Sequence, residues 1–414
     1  MPSSLHGRLS RLLSVDQLRR KLIAIRLAES TGKGVFLSGS VVYFTLHVGL
    51  NARQVGLGLS AAGLSAFISS VVFGVIADRV GPRRLLIILF AALAVGFGLY
   101  ALVDTALQFV ALVVVVGFLE YGTGPTNGAL IGNLVPAEER VKLKAMMRSV
   151  YNIGFSMGIG VAAVAALSQR LLVLIPLTTA VLMAGAALLV TRLPDAPPRP
   201  VPIGFKRFAA VRDPRFRAVI AVSTVLACHI TIILVALPLW ALNRTTLPHF
   251  LVPLLLIFNT AFVILFQVRA SRGADTVEGA ARLARRSGYW LAGGCAVIAV
   301  TALNNDITVV TVALIAALLI LSVAEVMQAA SGWGLAFGLA PEHAQGEYLG
   351  AFDLHIITQN VIGPAVLSGL VFAFGFWGWL GIAVAALIAS ALIIPVARRS
   401  QVTLAPEPAA PTRA

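Results

Sequence analysis

Apolar runs of roughly 20 residues recur from one end of this 414-residue chain to the other, and no other feature restricts the fold as much. In hydrocarbon every backbone N–H and C=O needs an internal partner, so such a run crosses as an α-helix or as a strand of a closed barrel. The runs lack the period-2 alternation of a barrel strand, which leaves helices. A composition of 58% hydrophobic and 12% charged residues departs from that of a soluble domain in the same direction. The predicted fold class is an all-α membrane protein with twelve transmembrane helices.

The spans fall roughly at 22–46, 55–77, 84–103, 107–134, 147–168 and 171–191, then at 217–242, 248–268, 288–303, 307–335, 351–374 and 376–397. Connectors are short except for residues 192–216, whose prolines and arginines mark a linker. The domain organisation is then an N-terminal extension 1–21, a six-helix unit 22–191, the linker 192–216, a second six-helix unit 217–397 and a tail 398–414.

A net charge of +15 could signal a nucleic-acid partner, but the basic residues lie in short connectors rather than in one domain. Of the 32 lysines and arginines, all but Arg53, Arg170, Arg244 and Lys33 fall where a cytoplasmic N-terminus would put them inside. That asymmetry predicts both termini in the cytoplasm, in a bacterial-type cell membrane, with the lipid bilayer as partner and no nucleic acid. The basic N-terminal stretch reads either as a helix lying on the inner membrane surface or as a solvated extension. Cys228 and Cys295 both sit inside apolar runs and read as small buried hydrophobes.

Glu120 stands in the middle of FVALVVVVGFLEYGTG, and Glu325 is equally deep in LILSVAEVMQAAS. Sliding the chain by 205 residues lays Glu120 on Glu325, Pro136 on Pro341, Gly158 on Gly363 and Arg148 on Asp353. Spans 4–5 and 10–11 are thus copies in parallel orientation, which predicts two pseudo-symmetric six-helix bundles about an axis along the membrane normal.

Between spans 2 and 3 the chain reads Gly74-Val75-Ile76-Ala77-Asp78-Arg79-Val80-Gly81-Pro82-Arg83-Arg84. This resembles the signature loop of the major facilitator superfamily, G-x-x-x-D-R-x-G-R/K-R, and it sits in that family's place. Gly74 permits close helix approach, Asp78 can meet a helix N-terminus, and Gly81-Pro82 makes the tight turn. The resemblance implies two bundles rocking about a central cavity lined mainly by spans 1, 4, 7 and 10. It makes Asp78 and Arg79 a latch on the cytoplasmic side, with Gly74, Gly81, Arg83 and Arg84 in the same motif. Asp353, at the start of span 11, is a candidate partner for the loop's arginines, Arg83 in particular. The drug and natural-product efflux branch is the one most resembled, with two departures. The branch's span-4 arginine is replaced by Phe118 or Gly117, and the span-5 proline is missing while Gly363-Pro364 appears in span 11.

A glutamate at mid-span costs on the order of 3 kcal/mol on insertion scales, and removal from water favours the neutral form of a carboxyl group. Glu120 and Glu325 are therefore candidates for proton coupling, against the alternative of hydrogen-bonded glue between helices. Glu29 and Lys33 are four residues apart and can pair on one face of span 1, as structure or as a gate. His229 in span 7 is a candidate proton relay or a satisfied core histidine. Tyr43, Tyr121, Arg148, Tyr151 and Asn152 are cavity candidates from the first half. Asn259, Gln328, His355, Gln359 and Asn360 are those from the second. Trp333 is ambiguous between cavity and membrane belt.

The expected function is secondary active transport of a small molecule by alternating access. The leading reading is proton-coupled efflux of a lipophilic or cationic compound, because few fixed charges were expected along the spans. A proton symporter importing a polar nutrient is the alternative, and a non-transporting sensor or lipid-handling scaffold is the reading of another class. No nucleotide-binding G-x-x-x-x-G-K-[ST] loop or repeated channel filter occurs, and no catalytic constellation accompanies the glutamates. The chain is expected to be no enzyme and a monomer, with no metal or cofactor and a proton gradient as its energy source.

Overall fold

A computed structural model describes residues 3–197, 207–248 and 251–404, so the expected linker and tail lie partly outside the described residues. The first half contains α1 (Ser3–Val42), α2 (Ala52–Val80), α3 (Pro82–Leu99), α4 (Ala106–Leu134), α5 (Ala137–Ala165) and α6 (Leu174–Thr191). The second contains α7 (Pro214–Arg244), α8 (Leu251–Ala270), α9 (Val277–Val300), α10 (Ile307–Leu339), α11 (Gln345–Val361, then Gly363–Phe374 after a bend of 45°) and α12 (Phe376–Leu404).

Local chemistry sets these boundaries. Asn51 with Gln54 and Thr105 with Gln108 form capping boxes that start α2 and α4. The Asp306 side chain accepts the backbone N–H groups of Thr308 and Val309 to start α10. Gly81 turns the chain between α2 and α3 at φ 93°, a region glycine enters freely, and Pro82 opens α3. Pro238 has no N–H and its ring crowds the preceding turn, so α7 widens into a π turn at Ile232–Ala236. Pro364, likewise without an N–H, stands just after the break at Ile362 where α11 bends.

Seven of these helices are long and apolar enough to cross a membrane by themselves, and eight when bent α11 counts as one span. The others fall short for identifiable reasons. α1 and α5 carry charges at membrane depth, α9 opens on a charged first half, and the apolar part of α8 is short. The N-terminal extension was expected as a separate surface segment. Instead α1 runs unbroken from Ser3 to Val42, about 60 Å at 1.5 Å per residue, with no boundary near residue 21.

Packing repeats after six helices. α1 packs on α5 and α6, α2 on α4, and α3 on α4 and α6; likewise α7 packs on α11 and α12, α8 on α10, and α9 on α10 and α12. The two halves meet along α2–α11 and α5–α8, with α4–α11 and α5–α10 beside them, and each seam of a pair maps onto its partner by the same shift. The pseudo-symmetry suggested by the 205-residue offset is therefore present in the packing. Arg19 with Glu139 (2.6 Å), Lys21 with the Arg192 carbonyl (2.8 Å) and Arg398 with Glu278 (2.8 Å) gather on one face, hereafter the basic face.

Candidate functional site

At the basic face the Gly74–Arg84 motif closes the seam between the halves. Asp78 Oδ1 and Oδ2 accept the backbone N–H groups of Gly346 (2.7 Å) and Glu347 (2.8 Å), two of the orphan donors at the start of α11. Close approach makes this possible. A Cβ on Gly74, Gly346 or Gly350 would strike the backbone of the opposite helix, and Ser70 Oγ donates to the Gly350 carbonyl at 2.9 Å. The Glu347 carboxylate in turn accepts the N–H groups of Phe208 (3.2 Å) and Ala210 (2.9 Å), which fastens the segment before α7 to the seam. Arg79 stands near Glu347, and Arg84 is exposed.

The expected pairing of Asp353 with Arg83 is not what forms. Arg83 donates to the Thr191 carbonyl at the end of α6 (2.6 Å) and contacts Asp195 just beyond it (3.4 Å), neither of them in the second half. Asp353 lies two helical turns beyond Gly346 on α11, about 10 Å deeper, and faces a cavity.

That cavity, of about 210 Å³, lies between α1, α4 and α5 of one half and α7, α10 and α11 of the other. Its charged lining is Arg26, Lys144, Arg148 and Asp353, and its polar lining is Asn127, His229, Gln328 and His355. Trp333, Phe337, Phe352 and Met147 supply apolar wall. The expectation that few fixed charges line the spans fails here, because three cations reach the cavity.

The acids that match those cations stand behind the wall. Buried Glu29 receives Arg26 Nη1 at 2.8 Å and Lys33 Nζ at 3.0 Å, which is the pairing its four-residue spacing from Lys33 predicted. Lys33 also reaches Glu120 at 3.4 Å, and Arg26 lies 4.5 Å over the Tyr151 ring. In the other half Glu325 takes Arg148 Nη2 at 2.9 Å on one oxygen and Asn259 Nδ2 at 3.0 Å on the other. Arg148 belongs to α5 and Glu325 to α10, so this ion pair crosses between the halves. The repeat-related glutamates therefore have unlike surroundings. Glu120 is tied within its own half, Glu325 to the opposite one.

Both cavity histidines donate Nδ1–H to a carbonyl one turn back, His229 to Leu226 (3.1 Å) and His355 to Phe352 (2.6 Å). Gln328 stands 3.4 Å from His355 Nε2, which is left as the acceptor. Gln359 is held by the Thr224 carbonyl (2.8 Å) and Cys228 (3.3 Å), between α11 and α7. Tyr43 is no cavity residue. Its hydroxyl donates to the Tyr100 carbonyl (3.0 Å) within a cluster of Phe36, Phe44, Phe97 and Phe109. Tyr121 and Asn152 are half-buried outside the lining, and Asn360 is exposed.

Arg26, Lys144 and Asn127 line the cavity without having been expected there, whereas Arg148 was a cavity candidate. Lys144 and Arg148, one turn apart, had been counted among basic connector residues. Among the described residues no group of three His, Cys, Asp or Glu side chains could hold a metal ion.

Residues 23–356 match the family model of the Major Facilitator Superfamily. A curated relative, the putative niacin/nicotinamide transporter NiaP of Bacillus subtilis (strain 168), is 26% identical over 146 residues, which is 33% of this chain and 35% of that protein. The chain thus matches only about a third of that relative's length. Among solved structures, a bacterial homologue of the iron transporter ferroportin in its outward-facing state superposes with a TM-score of 0.72 at 15% identity, covering 93% of this chain and 99% of that one. The human organic anion transporter MFSD10 gives a TM-score of 0.67 at 15% identity, covering 91% and 99%. At such identities these two attest the fold alone. The chain belongs to the major facilitator superfamily; it is a multi-pass membrane transporter and not an enzyme.

Proposed function

We propose that this protein is a proton-coupled secondary transporter that moves a small polar organic solute through the cavity between its halves. The observation that carries the reading is the Arg148–Glu325 ion pair, which joins the halves at the cavity wall. A part-buried pair resists opening because removing one partner leaves the other uncompensated at the wall. A proton on Glu325 and a solute group on Arg148 would satisfy both strands at once, so loading and release of the bridge become one event. The Asp78 contact with the start of α11 then acts as the second closure, at the basic face.

The efflux reading rested on apolar spans and on branch resemblance. A cavity of about 210 Å³ is smaller than the roughly 300–1,000 Å³ that holds drug-sized ligands, and its wall carries Arg26, Lys144 and Arg148. These features favour the symport reading, with a polar solute taken up alongside protons. The transporter works as a monomer in the cell membrane, its basic face in the cytoplasm. An uncoupler separates the two directions. Symport predicts that cells retain less solute when the gradient collapses, whereas more retained solute would return the efflux reading.

A further inference from the structure

We propose that the solute is a small organic monocarboxylate with an aromatic or compact apolar body, and that it travels with one proton so that the loaded carrier gains no net charge. The proposal rests on the transport reading above and names the substrate class of the same cavity.

The sign of the wall argues for an anion. Lys144 and Arg148 rise from successive turns of α5 and Arg26 from α1, against Asp353 alone among the acids that line the cavity. Glu29, Glu120 and Glu325 are not among the lining residues and are each paired with a cation. A cation entering would face three like charges. Arg148 also holds unused capacity: Nη2 is taken by Glu325, while Nε is buried without a hydrogen-bond partner. Asn127 Oδ1, also on the wall, is a buried acceptor in the same condition. A carboxylate beside Lys144 and Arg148 satisfies the donors, and a polar N–H or O–H on the solute body would satisfy Asn127.

The rest of the wall sets the body. Trp333, Phe337 and Phe352 offer ring faces, and the cavity volume admits a single six-membered ring more readily than a drug-sized molecule.

The charge balance sets the stoichiometry. Around the cavity Arg26, Lys33, Lys144 and Arg148 are matched one for one by Glu29, Glu120, Asp353 and Glu325. His229 and His355 face the same space with Nδ1–H on a carbonyl, and Gln328 beside His355 Nε2 favours the neutral ring there; both are counted as uncharged in this balance. Into this balanced set a monoanion brings one uncompensated negative charge, which is costly in a water-poor interior. One proton, taken by the glutamate that Arg148 leaves, cancels it. A dianion such as a phosphate ester would leave a residual charge.

One ring in three charge states tests this. Binding of radiolabelled nicotinate, nicotinamide and 1-methylnicotinamide to the purified full chain compares anion, neutral amide and cation, with benzoate and isovalerate as further carboxylates. The expected result is binding of at least one carboxylate about tenfold or more above nicotinamide, with 1-methylnicotinamide weakest, and loss of that preference in Lys144→Gln. In proteoliposomes, flux of the bound carboxylate should follow a pH gradient and ignore a potassium–valinomycin potential. Nicotinamide or 1-methylnicotinamide binding as well as every carboxylate, or flux that follows the potential, overturns the proposal. The ligand series uses the unmodified protein, so misfolding of Lys144→Gln does not blunt it. Accumulation of 1-methylnicotinamide under a pH gradient would remove the anion class and leave proton coupling standing. Carboxylate bound but never accumulated would remove the coupling and leave the anion site standing.

Discussion

At the scale of single residues, Glu29 and Glu325 look alike in sequence, each an acid in an apolar helix, yet their contacts assign them different work. Glu29 is 2% exposed and joins two cations of its own helix, Arg26 and Lys33. Glu29→Gln strands Arg26 and leaves Lys33 with Glu120 alone, so the expected outcome is a loss of up to about 3–5 kcal/mol of stability, read as a lower unfolding temperature in detergent with no solute present. A melting temperature equal to that of the parent would show that the cluster contributes nothing structural. Glu325→Gln keeps the Asn259 contact on one oxygen and removes only the charge opposite Arg148, so its expected deficit is in coupling rather than in folding. Much of this was legible: the depth of both glutamates, the pairing of Glu29 with Lys33, and the cavity positions of His229, Gln328 and His355 follow from hydropathy and helical spacing. Lys144 was not, because a lysine at a helix start near the inner face looks the same whether it meets lipid headgroups or a cavity. Only the packing of α5 against α8 and α10, which turns Lys144 to the cavity, decides that. Tyr43 failed for a related reason: helical spacing does not tell which side of α1 faces the first half's own aromatic core.

Between elements, a close contact joins the halves at the α2–α11 seam, where Ser70, Gly74 and Asp78 meet Gly346 and Gly350 at four-residue intervals. The motif itself was readable, as was the expectation that Asp78 meets a helix N-terminus. What failed is the partner expected for Asp353: it lies two turns further along α11 at the cavity, while Arg83 is held by the Thr191 carbonyl and Asp195. A Cβ at Gly74 collides with the Gly346 carbonyl, so Gly74→Leu should part the halves at the basic face. Spin labels on exposed positions 84 of α3 and 282 of α9 would report a longer distance in the variant, and an unchanged distribution would contradict the seam's role. Asp78→Asn keeps the side chain's shape but loses the charge at the helix end, an interaction of about 0.3–2 kcal/mol. The same label pair should show a smaller shift in the same direction.

Across the whole molecule, the six-helix shift relates both the packing within each half and the seams between them, while the charges break that symmetry. The repeat placed a glutamate in both copies, but the cation opposite each comes from a different place, Lys33 of the same half for Glu120 and Arg148 of the other half for Glu325. On the proposed reading, symmetry in the scaffold lets the halves rock, and asymmetry in the charges gives that motion the Arg148–Glu325 ion pair to make and break. The most direct test of that claim measures solute accumulation in proteoliposomes under an imposed pH gradient, beside exchange across membranes with no gradient, for the parent and for Glu325→Gln. The account predicts that the variant exchanges solute at a rate near the parent's and fails to accumulate it. Accumulation by Glu325→Gln equal to the parent's would contradict it.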